Sequence, residues 1–208
     1  MGNAGGEPIV WVVRHGETEW SRSGRHTGRT DLPLTADGEA QARRVGGLIR
    51  SLLAGSQLDL VLCSPLLRAR KTAELAGLYD GATSVGACAV LDDLREWDYG
   101  DLEGMTTAEI CAAYPGWSIW EGPWPGGETS TDIAERSDRV IARVLSSGAS
   151  QVALVGHGHF SRATAGRWVG EAAAAGRWLA LDTASVSTLG WSRDERVVER
   201  WNLTAVPM

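Results

Sequence analysis

A chain of 208 residues has the length of one α/β domain and can bury roughly two-thirds of the surface that its unfolded form exposes. Its 26 acidic residues against 20 Lys and Arg give a net charge of −6 and a pI near 5.3, with no basic run and no apolar stretch long enough to span a bilayer, which excludes nucleic acid and membrane as partners. The odd set Cys63, Cys88 and Cys111, in or beside apolar segments, and an opening without a basic-then-apolar leader lead to the expectation of reduced thiols in a cytoplasmic protein.

The run Ile9 to Val13 is apolar and β-branched, reads as a buried strand, and stops at Arg14-His15-Gly16-Glu17. A polar stretch with Trp20, Ser21, Arg25, His26, Thr27, Gly28 and Arg29 follows to about Pro33 and reads as a long loop, of the kind that more often carries function than mere connection. Thr35 is an N-cap for a helix whose stripe is Val45, Leu48, Ile49, Leu52 and Leu53, with Gly55 as its stop. Residues 58–63 predict a second strand, turned by Ser64-Pro65 into a helix through Leu75, and residues 84–91 a weaker third strand leading into Leu94 to Gly100.

From Asp101 to Glu135 there is no Lys or Arg, while Trp117, Trp120 and Trp124 cluster among prolines and glycines, a composition read as an irregular lid. A helix is expected over about 130–147, a buried strand over 151–155 ending in Gly156-His157-Gly158-His159, and a helix over about 160–169. Two strands near 185–191 and 196–201 complete an antiparallel flank, whose exposed edge permits a homodimer. The expectation is a single domain over 1–208 with a lid-like insertion at about 101–130, built as a three-layer α/β/α sandwich around a mostly parallel sheet.

In such a sheet the polar groups at three strand ends, Arg14-His15-Gly16, Ser64 to Arg68 and His157-Gly158-His159, can converge on one edge. His15 taken alone suits a nucleophile, an acid/base or a metal ligand; two arginines and two histidines around one point suit a tetrahedral dianion, with Glu96 placed to supply a proton. Arg14 and Arg68 beside the histidines would repel a cation, so neither metal nor cofactor is expected. A cysteine-phosphatase loop at Cys63 and Arg68 is set aside, since only four residues intervene where that loop needs five, none of them glycine.

Five ordered blocks, Arg14-His15-Gly16-Glu17-Thr18 with Trp20, Gly28 to Thr35, Ser64 to Ala73, Leu94 to Gly100 and His157-Gly158, resemble the histidine phosphatase superfamily, also called phosphoglycerate mutase-like. That resemblance implies His15 as the nucleophile that becomes phosphorylated, Arg14, Arg68 and His157 as holders of the phosphoryl oxygens, and Glu96 as proton donor. It extends the substrate-binding set to Ser21, Thr27, Gly28, Tyr99, Gly158 and His159, with His159 either a substrate contact or a helix cap. Ser21 stands where the family keeps an asparagine.

The blocks around Leu94 to Gly104, Trp117 to Thr129 and His157 to Ala163 resemble the acid phosphatase and sugar-phosphate phosphatase members more than the mutases, which carry basic residues after the general acid. The expected activity is hydrolysis of a small-molecule phosphate ester, with an acidic aromatic lid favouring a neutral, hydroxyl-rich leaving group such as a sugar or sugar alcohol. The alternatives are a phosphoglycerate-type mutase and a catalytically weak phospho-ligand or protein-binding module. Trp11, Trp191 and Trp201 read as core, whereas Trp97, Trp117, Trp120 and Trp124 are candidates for a substrate mouth.

Overall fold

The computed structural model describes residues 7–78 and 87–205. Strand β1 (Ile9–Arg14) alternates two faces, as the strand period requires. Val10 and Val12 pack with Trp97, Phe160 and Trp168 on one side of the sheet; Trp11 and Val13 pack with Val45, Ile49, Ala69 and Ala73 on the other. The remaining strands are β2 (Leu60–Cys63), β3 (Ala87–Val90), β4 (Gln151–Gly156), β5 (Ser185–Ser192) and β6 (Glu195–Thr204), in the order β3-β2-β4-β1-β5-β6. Neighbours from β3 through β1 run parallel, while β5 and β6 are antiparallel, so the predicted parallel centre and antiparallel flank are both present. Positions 84–86 of the predicted third strand lie outside the described residues.

Helices α2 (Ala36–Leu53) and α3 (Leu67–Leu75) cover one face; α5 (Ser130–Leu145) and α6 (Gly158–Trp168) cover the other, which gives the three layers. The Thr35 cap is as expected, its hydroxyl accepting from the Gly38 amide at 3.0 Å. Here the chain makes a close crossing. A Cβ on Gly16 would stand 2.3 Å from the Gly38 carbonyl oxygen, and one on Gly38 would stand 2.1 Å from that of Glu17, so only glycine lets the end of β1 lie against the first turn of α2.

Two short helices depart from the expected loops. Both α1 (Glu19–Ser23) and α4 (Thr107–Ala113) begin with a capping box, Thr18 with Ser21 and Thr106 with Glu109, a signal present in the sequence but too brief to show periodicity. The lid is therefore partly helical. Helix α3 starts at Leu67, two residues past Pro65, because Leu66 is still extended as its N-cap.

Candidate active site

Three strand ends meet because β4 lies between β2 and β1. Arg14 is opposite Gly156 and Cys63 opposite Val155, so His15, Ser64 and His157 follow from adjacent positions at one sheet edge. The backbone continues that order: the His15 amide donates to the Gly156 carbonyl at 3.0 Å and the Ser64 amide to Val155 at 2.9 Å.

The His15 ring is buried, and its Nδ1 lies 2.7 Å from the Gly16 carbonyl. A carbonyl only accepts, so Nδ1 carries the hydrogen and Nε2 keeps the lone pair. Burial, then the Arg68 and Arg14 charges, push the imidazole well below its ordinary range and keep it neutral. The amide of Gly16 is spent on the Thr72 hydroxyl at 3.0 Å.

His157 and Arg68 form a sealed layer behind it. The His15 and His157 ring centroids are 5.2 Å apart. Arg68 Nε donates to His157 Nδ1 at 3.2 Å, which leaves the proton on Nε2, itself 2.7 Å from Ser64 Oγ. Arg68 also donates from Nη1 to the Thr30 carbonyl, and from Nη2 to those of Thr27 and Gly28, so four of its five N–H groups are committed. This explains the long polar loop: its carbonyls are the cradle of a wholly buried guanidinium, and Glu103 completes it by accepting from the Gly28 and Thr30 amides. Burial, then Arg68, His15 and Arg14, hold His157 well below its usual range too.

Arg14 lies on the open side. Nη1 donates to the Leu181 carbonyl, while Nε is buried with no hydrogen-bond partner. Glu96 faces it across Gly158. Its Oε1 accepts from the Trp97 and Phe160 amides at 2.9 and 2.8 Å, and its Oε2 from the His159 amide at 3.0 Å. Helix α6 has no side-chain cap of its own at His157, so Glu96 closes its N-terminus from 63 residues away. That is why the helix begins at Gly158, two residues before the expected start. Buried Arg136 in turn holds the segment, bonding the carbonyls of Asp93, Arg95 and Glu96 and the carboxylate of Glu128.

A lone-pair imidazole nitrogen beside an unpaired buried N–H, with a carboxyl across from it, is an arrangement for moving a phosphoryl group. The model of the histidine phosphatase superfamily (branch 1) matches residues 10–204. The chain belongs to that superfamily. An acid phosphatase of Mycobacterium tuberculosis is 41% identical over 199 residues, covering 94% of this chain and 93% of the relative. A sedoheptulose 1,7-bisphosphatase of Saccharomyces cerevisiae is 41% identical over 184 residues, covering 78% and 68%. The solved structure of an open reading frame from M. tuberculosis superposes with a TM-score of 0.87 at 38% identity, covering 96% of this chain and 99% of that one.

The cavity at this strand-end edge measures about 170 Å³ and is lined by Arg14, His15, Ser21, Thr27, Glu96, Tyr99, Gly158 and His159 among the expected residues. Arg68, His157 and Gly28 are not on its surface; the first two stand beneath it, and Gly28 lies behind Arg68. The Ser21 hydroxyl donates to the Thr18 carbonyl and accepts from the Thr18 amide, so the residue at the family's asparagine position serves the cap of α1.

Five further lining residues, Gly24, Arg25, His26, Arg162 and Leu181, were not among the expected site residues, although Arg25 and His26 belong to the polar loop read as functional. Arg162 had a signal, since it sits one turn after Gly158 on the same face of α6. Tyr99 Oη is 2.6 Å from His159 Nδ1, and the His26 ring lies 4.8 Å from Tyr99 and 5.7 Å from His159. Burial lowers His26 to about 4 and keeps His159 neutral, so this wall is aromatic and uncharged.

The tryptophans are not the mouth. Trp97 is wholly buried, Trp120 and Trp124 pack on it with centroids at 5.8 and 6.5 Å, and Trp117 and Trp124 donate to the Pro123 and Ile119 carbonyls within the lid. They form a wedge behind the aromatic wall, touching the cavity through His26 and His159. Trp11 is buried in the core as expected, and Trp191 and Trp201 are half-buried against it. Among the described residues no group of His, Cys, Asp and Glu is arranged to hold a metal ion, and no helix is long and apolar enough to cross a membrane.

Proposed function

We propose that this phosphatase hydrolyses a small sugar or sugar-alcohol phosphate through a phosphohistidine on His15. The observation that carries the mechanism is the neutral His15 ring with Nδ1 bound to the Gly16 carbonyl, beside the unpaired Arg14 Nε in one cavity. Nε2 donates its lone pair to phosphorus as the ester P–O bond breaks, and the Glu96 carboxyl, carrying a proton only in the substrate complex, gives it to the leaving oxygen, releasing the alcohol. Water then attacks the phosphohistidine, Glu96 takes its proton, and cleavage of the P–N bond returns the lone pair to Nε2 and frees inorganic phosphate. Arg14 meets the phosphoryl oxygens directly, while Arg68 acts from the buried layer by charge and the neutral His157 ring by packing against His15.

The sugar substrate draws support from the name of the yeast relative. The reading also places the reaction in the cytoplasm, in keeping with a half-buried Cys111 thiol, and without a metal, since Arg14 and Arg68 flank both histidines. The whole chain works as one unit, with 101–130 as a lid-like insertion, and the long outer strand β6 is the edge on which two copies would pair.

His15→Ala should abolish phosphate release from p-nitrophenyl phosphate while circular dichroism stays native, and denaturing wild type during turnover of a ³²P-labelled ester should trap an acid-labile label on His15. Undiminished turnover by the variant sinks the mechanism. Phosphoryl transfer within one molecule, in place of free phosphate, would instead show a mutase.

A further inference from the structure

A second cavity shares Arg14 and Ser21 with the His15 cavity and is otherwise built from different elements. Its other walls are α2, through Gln41 and Arg44, the segment that enters β5 at Asp182 and Thr183, and the end of β6 at Thr204. His15, Glu96, Tyr99 and His159 line only the first cavity. The second measures about 460 Å³, within the roughly 300–1,000 Å³ of ordinary ligand sites that the first does not reach.

Its lining holds unspent donors. Arg44 Nε is buried with no hydrogen-bond partner, and among the described residues no carboxylate pairs with the guanidinium. This happens in a chain where acidic residues outnumber Lys and Arg by 26 to 20, and where the exposed neighbour Arg43 meets Glu39 at 3.1 Å. Gln41 stands one turn back on the same face of α2. Its Oε1 accepts from the Glu17 amide at 2.9 Å, so the end it has left to offer is the NH2. The segment entering β5 is fixed: the Asp182 amide donates to Asn202 Oδ1 at 2.7 Å, Asn202 Nδ2 donates to Asp182 Oδ2 at 2.9 Å, and the Ala184 amide donates to the His15 carbonyl at 2.9 Å. An arginine fork without its own carboxylate fits a carboxylate or phosphate, while Asp182 only accepts and suits hydroxyl groups. Among the described residues no aromatic side chain lines this cavity, so a nucleobase has no face on which to stack.

We infer that this second cavity binds a small, hydroxyl-bearing organic anion, its charged end on Arg44 and Gln41 and its hydroxyls on Asp182 and the threonines. The occupant is a regulator and not the ester that His15 attacks. Arg14 lines both cavities and bonds the carbonyl of Leu181, the residue before Asp182, so an anion in the second cavity offsets part of the charge that the first relies on. The two ligands therefore weaken each other by one finite and equal factor. This link to turnover rests on the phosphatase reading; the binding itself does not.

The test is isothermal titration calorimetry with gluconate as the carboxylate probe, glucose 6-sulfate as a phosphate-like probe that releases no phosphate, and sorbitol as the uncharged control. Wild type should bind at least one of the two anions, one per chain, about tenfold or more tighter than sorbitol, the range of one charge-assisted hydrogen-bonded contact. Which probe binds identifies the anion. Orthovanadate, a phosphoryl mimic for the His15 cavity, should raise that Kd by about fivefold or more and then reach a ceiling.

Arg44→Gln should weaken the anion by about tenfold or more, with Arg44→Lys between the two. In both variants kcat/KM for p-nitrophenyl phosphate and the affinity for vanadate should stay within about twofold of wild type, which also shows that they fold. Binding of neither anion by wild type, binding that Arg44→Gln leaves unchanged, or a Kd that climbs in proportion to vanadate without a ceiling, the mark of one shared site, overturns the inference. A Kd indifferent to vanadate overturns the link through Arg14. The phosphatase reading fails separately, if wild type releases no phosphate from p-nitrophenyl phosphate; the titrations without vanadate then still judge Arg44.

Discussion

Replacing Glu96 by glutamine separates the capping of α6 by this carboxyl from its proposed task as proton donor. A glutamine can keep one oxygen facing the Trp97 and Phe160 amides, but its NH2 then confronts the His159 N–H that Oε2 accepts in the native protein. Losing one charge-assisted bond costs about 1.5–3 kcal/mol, and losing the negative charge at the N-terminus of α6 about 0.3–1 kcal/mol more. For a chain of this size that corresponds to a melting temperature lower by roughly 4–16 °C. The kinetic effect should depend on the ester. An alkyl phosphate needs a proton on its departing oxygen and should slow by about 10²–10⁴-fold, whereas p-nitrophenolate leaves unaided and should slow by about tenfold or less. The assay is single-turnover phosphate release from both esters at a temperature where the variant is folded. An equal loss on the two would refute Glu96 as proton donor and leave it only as the cap of α6.

Two further outcomes follow from the geometry. Gly16→Ala would drive a Cβ to 2.3 Å from the backbone oxygen of Gly38, which no rotamer relieves, and should cost about 3 kcal/mol or more in a urea unfolding midpoint. A loss below about 1 kcal/mol would contradict the close crossing of β1 and α2. Stability should also fall with acidification from about pH 6.5: His15, His26, His157 and His159 all have folded-state values held below the ordinary 6.5, chiefly by burial, so below that pH the unfolded chain binds more protons than the folded one. His26 alone, from 6.5 to about 4, represents up to about 3 kcal/mol, complete only near pH 4. Melting curves between pH 7.5 and 5 should show the drop, and His26→Gln should reduce it. A flat or rising melting temperature over that range would show that these imidazoles are not held neutral.

Much of this protein was legible along the chain. Alternating or continuous apolar runs gave β1, β2 and β4, the Thr35 cap and the Val45 to Leu53 stripe gave α2, and polar residues at the strand ends marked His15, Arg14, Glu96 and His157. These signals are local, because strand and helix periods determine which side chains share a face. Tertiary structure decided what each residue touches. The placing of β4 between β2 and β1 sets Ser64 and Arg68 on His157 across 93 and 89 residues, and leaves both His157 nitrogens occupied beneath the cavity. It also made Glu96 the cap of a helix it does not belong to, turned the lid tryptophans inward, and brought Arg162 and His26 to a mouth where the lid has no cation of its own. Such contacts depend on how separate faces pack against one another, and no local period records that. The chemistry proposed at His15 therefore starts from the sequence, whereas the surroundings that give it a neutral ring, a committed Nδ1 and a second cation came only from the fold.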